Sequence, residues 1–372
     1  MAASLAALPG NEVLFASEYG RRDFSLPGVK RVLLKKPKDR KKAVASISTP
    51  ALDAGERDWT MAYLRGRATA SSLMGVLAEG FEPDMVILSG SMGNGLFVRN
   101  LFPEAFLVGY ADWYFRDEAE TRYPLSTMPD IPLAPRNIRN TLQAKNFFDC
   151  NCHFTTTEWQ REQYPEGMRG FISVLRKCVD TEFFAPAPAS RFSFGDCELT
   201  ERQEIVTLSV RDAARLREGG FWCELPSLLS ARPDCHVVLI STGKEVRLDS
   251  LRESMAAFPS GMRGRIHLLD FLPPGAYRDL LCVSSLHLCK DISFMLPSEL
   301  LEAMSCGCVV LAPDTGAVRE VLSDGQNGFL YPSGRRMNWV MLITLLLERR
   351  SELLSIRRNA RKTVFGKHNK NT

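Results

Sequence analysis

The sequence lacks a strong net charge, because its 47 lysine and arginine residues nearly balance its 43 aspartate and glutamate residues and leave a net +4. A balance this even argues against nucleic acid as a partner. One local run is nevertheless basic. We interpret it as a solvated loop, with a patch for anionic lipid or an anionic substrate as the alternative: Lys35, Lys36, Lys38, Arg40, Lys41 and Lys42.

Long apolar runs are also missing. A membrane-spanning helix needs about 18 consecutive apolar residues, and the longest apolar stretch, around 339–347, falls well short of that. The first ten residues have neither the basic start nor the apolar core of a signal peptide. We therefore expect a cytoplasmic protein without a transmembrane segment. Peripheral contact with a membrane and the oligomeric state stay open.

The ten cysteines do not have the spacing of a metal site. The pairs Cys150/Cys152 and Cys306/Cys308 enclose a single residue, whereas zinc knuckles usually enclose about two to four. Most of the ten lie inside apolar runs, which suits small buried side chains in a reducing compartment. We therefore expect no metal site, no disulfide framework and no cofactor.

Short runs rich in valine, isoleucine and leucine alternate with helical stretches along all 372 residues, a length that favours two domains. The alternation predicts two doubly wound, Rossmann-like α/β domains with parallel sheets. The predicted strands are 13–16, 85–88, 106–110, 205–209, 237–241, 266–269, 286–289 and 309–312. The predicted helices are 60–78, 158–164, 221–230, 276–283, 298–306 and 339–362.

Composition also predicts where the domains divide. The stretch 183–199 is rich in proline, alanine and serine, which is typical of a linker. It would separate an N-terminal domain, 1–182, from a C-terminal domain, 200–372, that ends in a long helix. The chain opens on what looks like the end of a helix, followed directly by a strand. Either the first strand–helix unit, with its glycine-rich turn, is therefore expected to be missing, or the start of the chain is displaced.

The segment 293–332 has the pattern of a ligand site. Pro297 and Ser298 lead into a helix whose N-terminus suits a phosphate group. Glu302 lies one turn further on, within reach of a ribose diol, although a solvated helix carboxylate is the alternative. Gly307 would end the helix. Gly316 would lie in a turn at the carboxyl end of the next strand, where open α/β sheets bind ligands.

This ordered string resembles the nucleotide-binding signature of glycosyltransferase family 4, which comprises retaining enzymes of the GT-B fold with two Rossmann-like domains facing a cleft. The family pattern is a leucine-leucine-glutamate-alanine-methionine helix, a glycine, a hydrophobic strand, a glycine turn, a glutamate and an asparagine-glycine pair. The matching residues are Leu300, Leu301, Glu302, Ala303, Met304, Gly307, Val309, Val310, Gly316, Glu320, Gly325, Asn327 and Gly328.

The resemblance implies roles for particular residues. Glu302 would bind the ribose hydroxyls, and two arginines, Arg211 and Arg217 (or Arg215 in place of the second), would neutralise the departing diphosphate without a metal. Surface charge is the alternative reading for these arginines. Other residues would contact the donor, a nucleotide-diphosphate sugar: Phe294, Met295, Leu296, Pro297, Ser298 and Gly316.

The sequence also departs from the family pattern. Phe294 stands where the family usually has a glutamate, the stretch after the strand 85–88 lacks the usual histidine, and Arg176, Lys177 and Cys178 replace a histidine-aspartate-glycine. Two hypotheses follow. The chain is a retaining glycosyltransferase that moves a sugar to an unidentified acceptor, or a degenerate GT-B protein that binds nucleotide sugar or a partner without turnover. A sugar epimerase is disfavoured by the leucine-leucine-glutamate-alanine-methionine string.

Overall fold

A computed structural model of the chain describes residues 2–18, 26–35, 50–116, 133–187, 190–211, 213, 216, 220–242, 248–290, 295–332 and 337–370. These residues form two compact units. The first contains the described residues up to Leu175, and the second begins at Arg176.

The first unit is built on a parallel four-stranded sheet. In chain order its elements are α1 (Ala2–Ala6), β1 (Val13–Ser17), β2 (Val29–Leu33), α2 (Pro50–Ala78), β3 (Met85–Ser89), α3 (Val98–Leu101), β4 (Phe106–Tyr110), α4 (Leu133–Asp149), β5 (Cys152–Thr155), α5 (Glu158–Glu162), α6 (Glu166–Arg169) and β6 (Ile172–Val174). Strands pair in the order β3-β4-β5-β6, while β1 and β2 pair with each other, also in parallel.

The helix predicted at 60–78 is longer than expected. Its start at Pro50 places Gly55, a weak helix former, inside the helix. Packing outweighs this intrinsic cost, because α2 lies against α4 and buries Ala62. An ion pair of 3.0 Å between Arg139 and Asp58 also joins the two helices.

The second unit contains a six-stranded sheet. Its elements are β7 (Arg191–Phe194), β8 (Cys197–Thr200), β9 (Glu204–Val210), α7 (Phe221–Ala231), β10 (Cys235–Ser241), α8 (Asp249–Met255), α9 (Ser260–Arg263), β11 (Ile266–Leu269), α10 (Pro274–Val283), β12 (Leu286–Leu288), α11 (Ser298–Ser305), β13 (Val309–Pro313), α12 (Gly316–Arg319), β14 (Phe329–Tyr331), α13 (Trp339–Glu348) and α14 (Leu354–Lys367). The order is β11-β10-β9-β12-β13-β14, and every pairing is parallel.

The residues of the central strands explain this architecture. In β9, β10 and β13 nearly every side chain is buried, as expected for strands with helices on both faces of the sheet. The α/β fold with parallel sheets, expected from the runs of branched apolar residues, is confirmed.

The stretch 183–199, expected to be a linker, includes most of an antiparallel hairpin formed by β7 and β8. Gly195 makes the turn with φ +51°, and Phe192 and Leu199 are buried in a cluster with residues of β9, β10 and α10. The division between the units also falls earlier than the expected 182. Proline and alanine indicated irregular backbone, but two buried side chains anchor the segment to the second unit.

The single helix expected at 339–362 is two helices, α13 and α14. Arg350 lies in the break between the two helices. Its guanidinium donates to the carbonyl of Gln203 at 2.7 Å and to the hydroxyl of Ser285 at 3.2 Å, just before β9 and β12. None of the helices in the described part of the chain has the length and apolar content needed to cross a bilayer.

Candidate functional site

Three neighbouring strands of the second unit end at one edge of the sheet. Because β9, β12 and β13 are adjacent and parallel, the segments that follow them meet at the same edge. Arg211 follows β9, and Gly316 follows β13 by way of a two-residue turn. Met295, Leu296 and Pro297 lead from the β12 side into α11. This carboxyl edge is where open α/β sheets bind ligands.

Helix α11 presents its N-terminus at this edge. Its N-cap is Pro297, whose extended backbone has φ −66° and ψ 136° and whose side chain makes no capping hydrogen bond. Because no carboxylate or hydroxyl of the N-cap residue screens the end of the helix, its positive dipole end is available to an anion. Ser298 is the first residue of the helix, as the sequence predicted.

Glu302 lies one turn into α11 in a partly buried position. Burial raises the pKa of its carboxyl group to about 7, and the negative charge of Glu299 adds to this, while the ammonium group of Lys177 lowers it. The carboxyl group is therefore partly protonated at neutral pH. It can accept hydrogen bonds from a diol once it is ionised.

Lys177 is a candidate site residue that the sequence did not identify. Its ammonium group donates to the carbonyl of Leu296 at 2.7 Å, in the loop before α11. Burial lowers the pKa of Lys177, Arg211 lowers it further, and Glu302 raises it. Lys177, Arg211 and Glu302 are therefore close enough to interact electrostatically. The only signal in the sequence was the departure from histidine-aspartate-glycine at 176–178.

The C-terminal helix holds Lys177 in place. The Nδ1 atom of His368 lies 2.8 Å from the carbonyl of Lys177, and Val179 forms a β-bridge with Asn369. Nearby, Arg361 donates to the carbonyl of Ser305, the last residue of α11, at 2.7 Å. The end of the chain thus connects the Lys177 segment to the helix that carries Glu302.

The structure brings most of the predicted donor residues to one edge: Arg211, Met295, Leu296, Pro297, Ser298 and Glu302. Gly316 is buried at the start of α12, after the neighbouring strand. Phe294, Arg215 and Arg217 lie outside the described residues, as does the basic run apart from Lys35.

Other parts of the signature are structural. Gly307 has φ +72° and follows the end of α11, and the next N–H, of Cys308, donates back to the carbonyl of Ala303 at 2.9 Å, as in a Schellman motif. The amide of Asn327 donates to the carbonyl of Val321 at 2.9 Å and to the hydroxyl of Thr363 at 3.0 Å. These residues shape and anchor turns.

The first unit has its own polar group at a strand end. Asp112, just beyond β4, accepts a hydrogen bond from the hydroxyl of Ser91 at 2.5 Å and another from the backbone N–H of Trp113 at 2.8 Å. The amide of Gln143 also contacts it. Burial raises the pKa of Asp112. Ser91 lies in the stretch that lacks the expected histidine.

Family models match both halves of the chain. Residues 9–184 match the model described as glycosyl transferase family 4 group, and residues 225–363 match the model described as glycosyl transferases group 1.

Two curated relatives are similar over part of the sequence. An alpha-maltose-1-phosphate synthase of Mycobacterium tuberculosis is 27% identical over 169 residues, which are 45% of this chain and 43% of the relative. A phosphatidyl-myo-inositol mannosyltransferase of Mycolicibacterium smegmatis is 30% identical over 154 residues, which are 41% of this chain and 37% of the relative. The similarity thus spans about two fifths of the length of these relatives.

Solved structures extend the similarity in fold. Sucrose-phosphate synthase from Thermosynechococcus elongatus superposes with a TM-score of 0.67 at 13% identity, over 99% of this chain and 87% of that one. Anabaena HepE in complex with UDP-glucose gives a TM-score of 0.60 at 15% identity, over 82% and 79% of the two chains.

Each of the two α/β units contains a parallel sheet, and glycosyltransferase models match most of the length of both. Together these features define a GT-B protein. The chain belongs to the group 1 glycosyltransferases of the family 4 type. The family identified from the signature around Glu302 is thereby confirmed.

Proposed function

We propose that the chain is a retaining glycosyltransferase that moves a sugar from a nucleotide-diphosphate donor to an acceptor that is not yet identified. The observation that supports this most directly is the position of Lys177, whose ammonium group donates to the carbonyl of Leu296 in the loop before α11 and senses the charges of both Arg211 and Glu302. HepE, which shares the fold, is described in complex with UDP-glucose, and a uridine diphosphate sugar is therefore the first donor to test.

In this proposal the two cations act on the leaving group. A diphosphate that departs from the sugar accumulates negative charge, and Arg211, Lys177 and the dipole of α11 would stabilise that charge without a metal ion. Lys177 is already oriented by its hydrogen bond to Leu296. Little reorganisation would then be needed when charge develops.

Glu302 would hold the nucleoside. Its carboxylate would accept hydrogen bonds from the ribose diol and fix the distance between the nucleoside and the diphosphate. No protein nucleophile is required if a donor phosphate oxygen takes the acceptor proton on the face that the leaving group vacates. The replacement of a family glutamate by Phe294 is therefore compatible with activity in this proposal.

The competing proposal is a degenerate protein that binds nucleotide sugar or a partner without turnover. The absence of a histidine before His153 is what favours it. The two proposals differ in turnover rather than in donor binding. Turnover and donor binding must therefore be measured on the same protein.

The test combines donor binding with hydrolysis and transfer assays for a panel of nucleotide sugars. Removing one cation, by Arg211→Ala or Lys177→Ala, is expected to lower kcat by about 100-fold or more, as for the loss of other groups that stabilise transition-state charge. Glu302→Ala is expected to weaken donor binding. The matched controls are the exposed residues Lys362 and Glu253, each changed to alanine.

Each outcome has a distinct meaning. Binding that depends on Glu302 without any turnover would support the degenerate protein. Donor binding that is the same in Glu302→Ala and in the wild type would overturn the site itself.

A further inference from the structure

Three side chains with metal-ligating atoms converge in the core of the second unit. His287 lies on β12, Cys289 follows that strand, and Glu299 lies in the first turn of α11. One ligand atom from each lies within 4.8 Å of the other two. His287 and Cys289 are fully buried, and Glu299 is 7% exposed.

The fold explains this convergence. Residues 287 and 289 are two apart along an extended segment, so their side chains point to the same face of the sheet. Glu299 reaches that face from α11, three residues before Glu302. The cluster is therefore formed by side chains of two elements that both contribute to the edge of the donor site.

A hydrogen bond orients the ring of His287. Its Nδ1 lies 3.0 Å from the hydroxyl oxygen of Thr207, the residue opposite His287 on the neighbouring strand β9. Because Nδ1 is paired with Thr207, the ring nitrogen that is left to meet another group is Nε2.

The Nε2 atom of His287 is buried and has no hydrogen-bond partner among the described residues. A buried polar atom without a partner is costly and rare in folded proteins. Metal-ligating histidines have the same arrangement, in which one ring nitrogen is oriented by a hydrogen bond and the other binds the ion. An ion bound at Nε2 would therefore account for its missing partner.

The charges of the cluster point the same way. A thiolate and a carboxylate carry two negative charges, which a divalent cation neutralises. One nitrogen, one sulfur and one oxygen ligand form a set that suits zinc.

We propose that His287, Cys289 and Glu299 bind a zinc ion that fastens α11 to β12 behind the donor site. Bonds of about 2.0–2.3 Å around a tetrahedral ion place ligand atoms roughly 3.5 Å apart, so the cluster needs to contract by about 1 Å. The expectation that the chain has no metal site considered only closely spaced cysteines. Here the ligands are a histidine, a cysteine and a glutamate that tertiary structure brings together.

The first test measures zinc in the full chain, purified without a tag from zinc-supplemented medium and desalted into metal-free buffer. Mass spectrometry of the metal is expected to find about one zinc per chain in the wild type, and at least about tenfold less in Cys289→Ala and in His287→Gln. The matched control is Cys235→Ala, which removes another fully buried thiol of the same sheet, in β10. It should keep its zinc.

The second test adds Co²⁺ to the metal-stripped chain, which makes the result independent of the metal taken up during expression. A thiolate-to-cobalt absorption band is expected in the wild type and in Cys235→Ala but not in Cys289→Ala. His287→Gln preserves most of the side-chain volume, so it remains informative if the alanine variant fails to fold by circular dichroism. A wild type with neither zinc nor a cobalt band, or zinc that survives both ligand substitutions, would overturn the proposal and leave a neutral, hydrogen-bonded cluster.

Discussion

At the scale of the residue, Glu302 is placed where ionisation is costly. The pKa of its carboxyl group rises from 4.5 to about 7, first because of burial and then because Glu299 is negative. A carboxyl group whose pKa is raised on folding stabilises the folded chain below pH 4.5, and that contribution is lost as the pH rises through 7. The residue expected to hold the donor therefore weakens the fold at neutral pH.

Removing the charge of Glu302 should reverse this cost. Glu302→Gln is expected to raise the free energy of unfolding by about 1–2 kcal/mol at pH 8 and to leave it nearly unchanged at pH 4. The same substitution should weaken donor binding and remove its increase between pH 6 and pH 8. Urea unfolding at the two pH values, with Glu253→Gln as the exposed control, provides the measurement. Equal stability of variant and wild type at pH 8 would show that the carboxylate is well solvated.

Single residues also show what the sequence could predict about the site. Glu302 and the loop before it were identified because the ordered string around them is specific. Lys177 was not, because it is 125 positions away along the chain (302 − 177) and reaches the site only through its hydrogen bond to Leu296. A contact of that kind depends on tertiary structure and has no local pattern.

At the scale of the element, the end of α11 depends on Gly307. Its φ of +72° lies in the left-handed region, where a side chain costs roughly 1 kcal/mol. A Cβ atom would lie 3.4 Å from Pro186, which is ordinary contact, so the backbone conformation is the main cost. Gly307→Ala is expected to lower the unfolding free energy by about 1 kcal/mol.

A second glycine provides the control for this substitution. Gly366 lies inside α14, and a Cβ atom there would meet nothing within 4 Å. Gly366→Ala should therefore stabilise the protein, by up to about 1 kcal/mol. Both variants can be compared by thermal or urea unfolding. A destabilisation of similar size at both positions would contradict the assignment of a conformational cost to Gly307.

Helix α14 acts as a brace for the candidate site. The guanidinium of Arg361 donates to three carbonyls, those of Ser305, Phe184 and Thr181, at 2.7, 3.3 and 3.4 Å. Arg361→Met would remove this donor from all three partly buried carbonyls, of which that of Phe184 keeps the hydrogen bond from the Ser305 hydroxyl, and we expect a loss of about 2 kcal/mol in stability.

The brace also predicts a functional effect. Because Arg361 contacts the last residue of α11, Arg361→Met should raise the Kd for the donor as well as lower stability. Arg358→Met alters an exposed arginine of the same helix and should change stability by no more than about 0.5 kcal/mol. Donor binding by calorimetry separates the two effects. An unchanged Kd in a destabilised Arg361→Met protein would confine the role of α14 to stability.

Strands were predicted better than helices. The strands 106–110 and 266–269 match the observed bounds, and β9, β10 and β13, in which nearly every side chain is buried, were predicted to within about two residues at either end. The hairpin of β7 and β8 was missed because proline and alanine surround it in the sequence. The break between α13 and α14 was missed because it depends on Arg350 reaching two distant groups.

At the scale of the whole molecule, the two units have separate cores. Each described hydrophobic cluster draws its residues from one unit: Leu73, Val98 and Leu107 belong to a cluster of the first, and Val206, Leu239 and Ile343 to a cluster of the second. Separate cores allow the units to unfold in separate steps, so a single two-state transition is not expected. The candidate donor residues all belong to the second unit.

Donor binding should therefore stabilise the second unit selectively and shift only the unfolding transition of that unit. In differential scanning calorimetry we expect two transitions. A donor at about 100 times its Kd should stabilise the second unit by about 2.7 kcal/mol and leave the other transition in place. Glu302→Ala should abolish the shift at the same donor concentration, whereas Glu253→Ala should retain it. A single transition that moves as a whole would show that the two units unfold together, and the stability that the donor confers would then be a property of the entire chain.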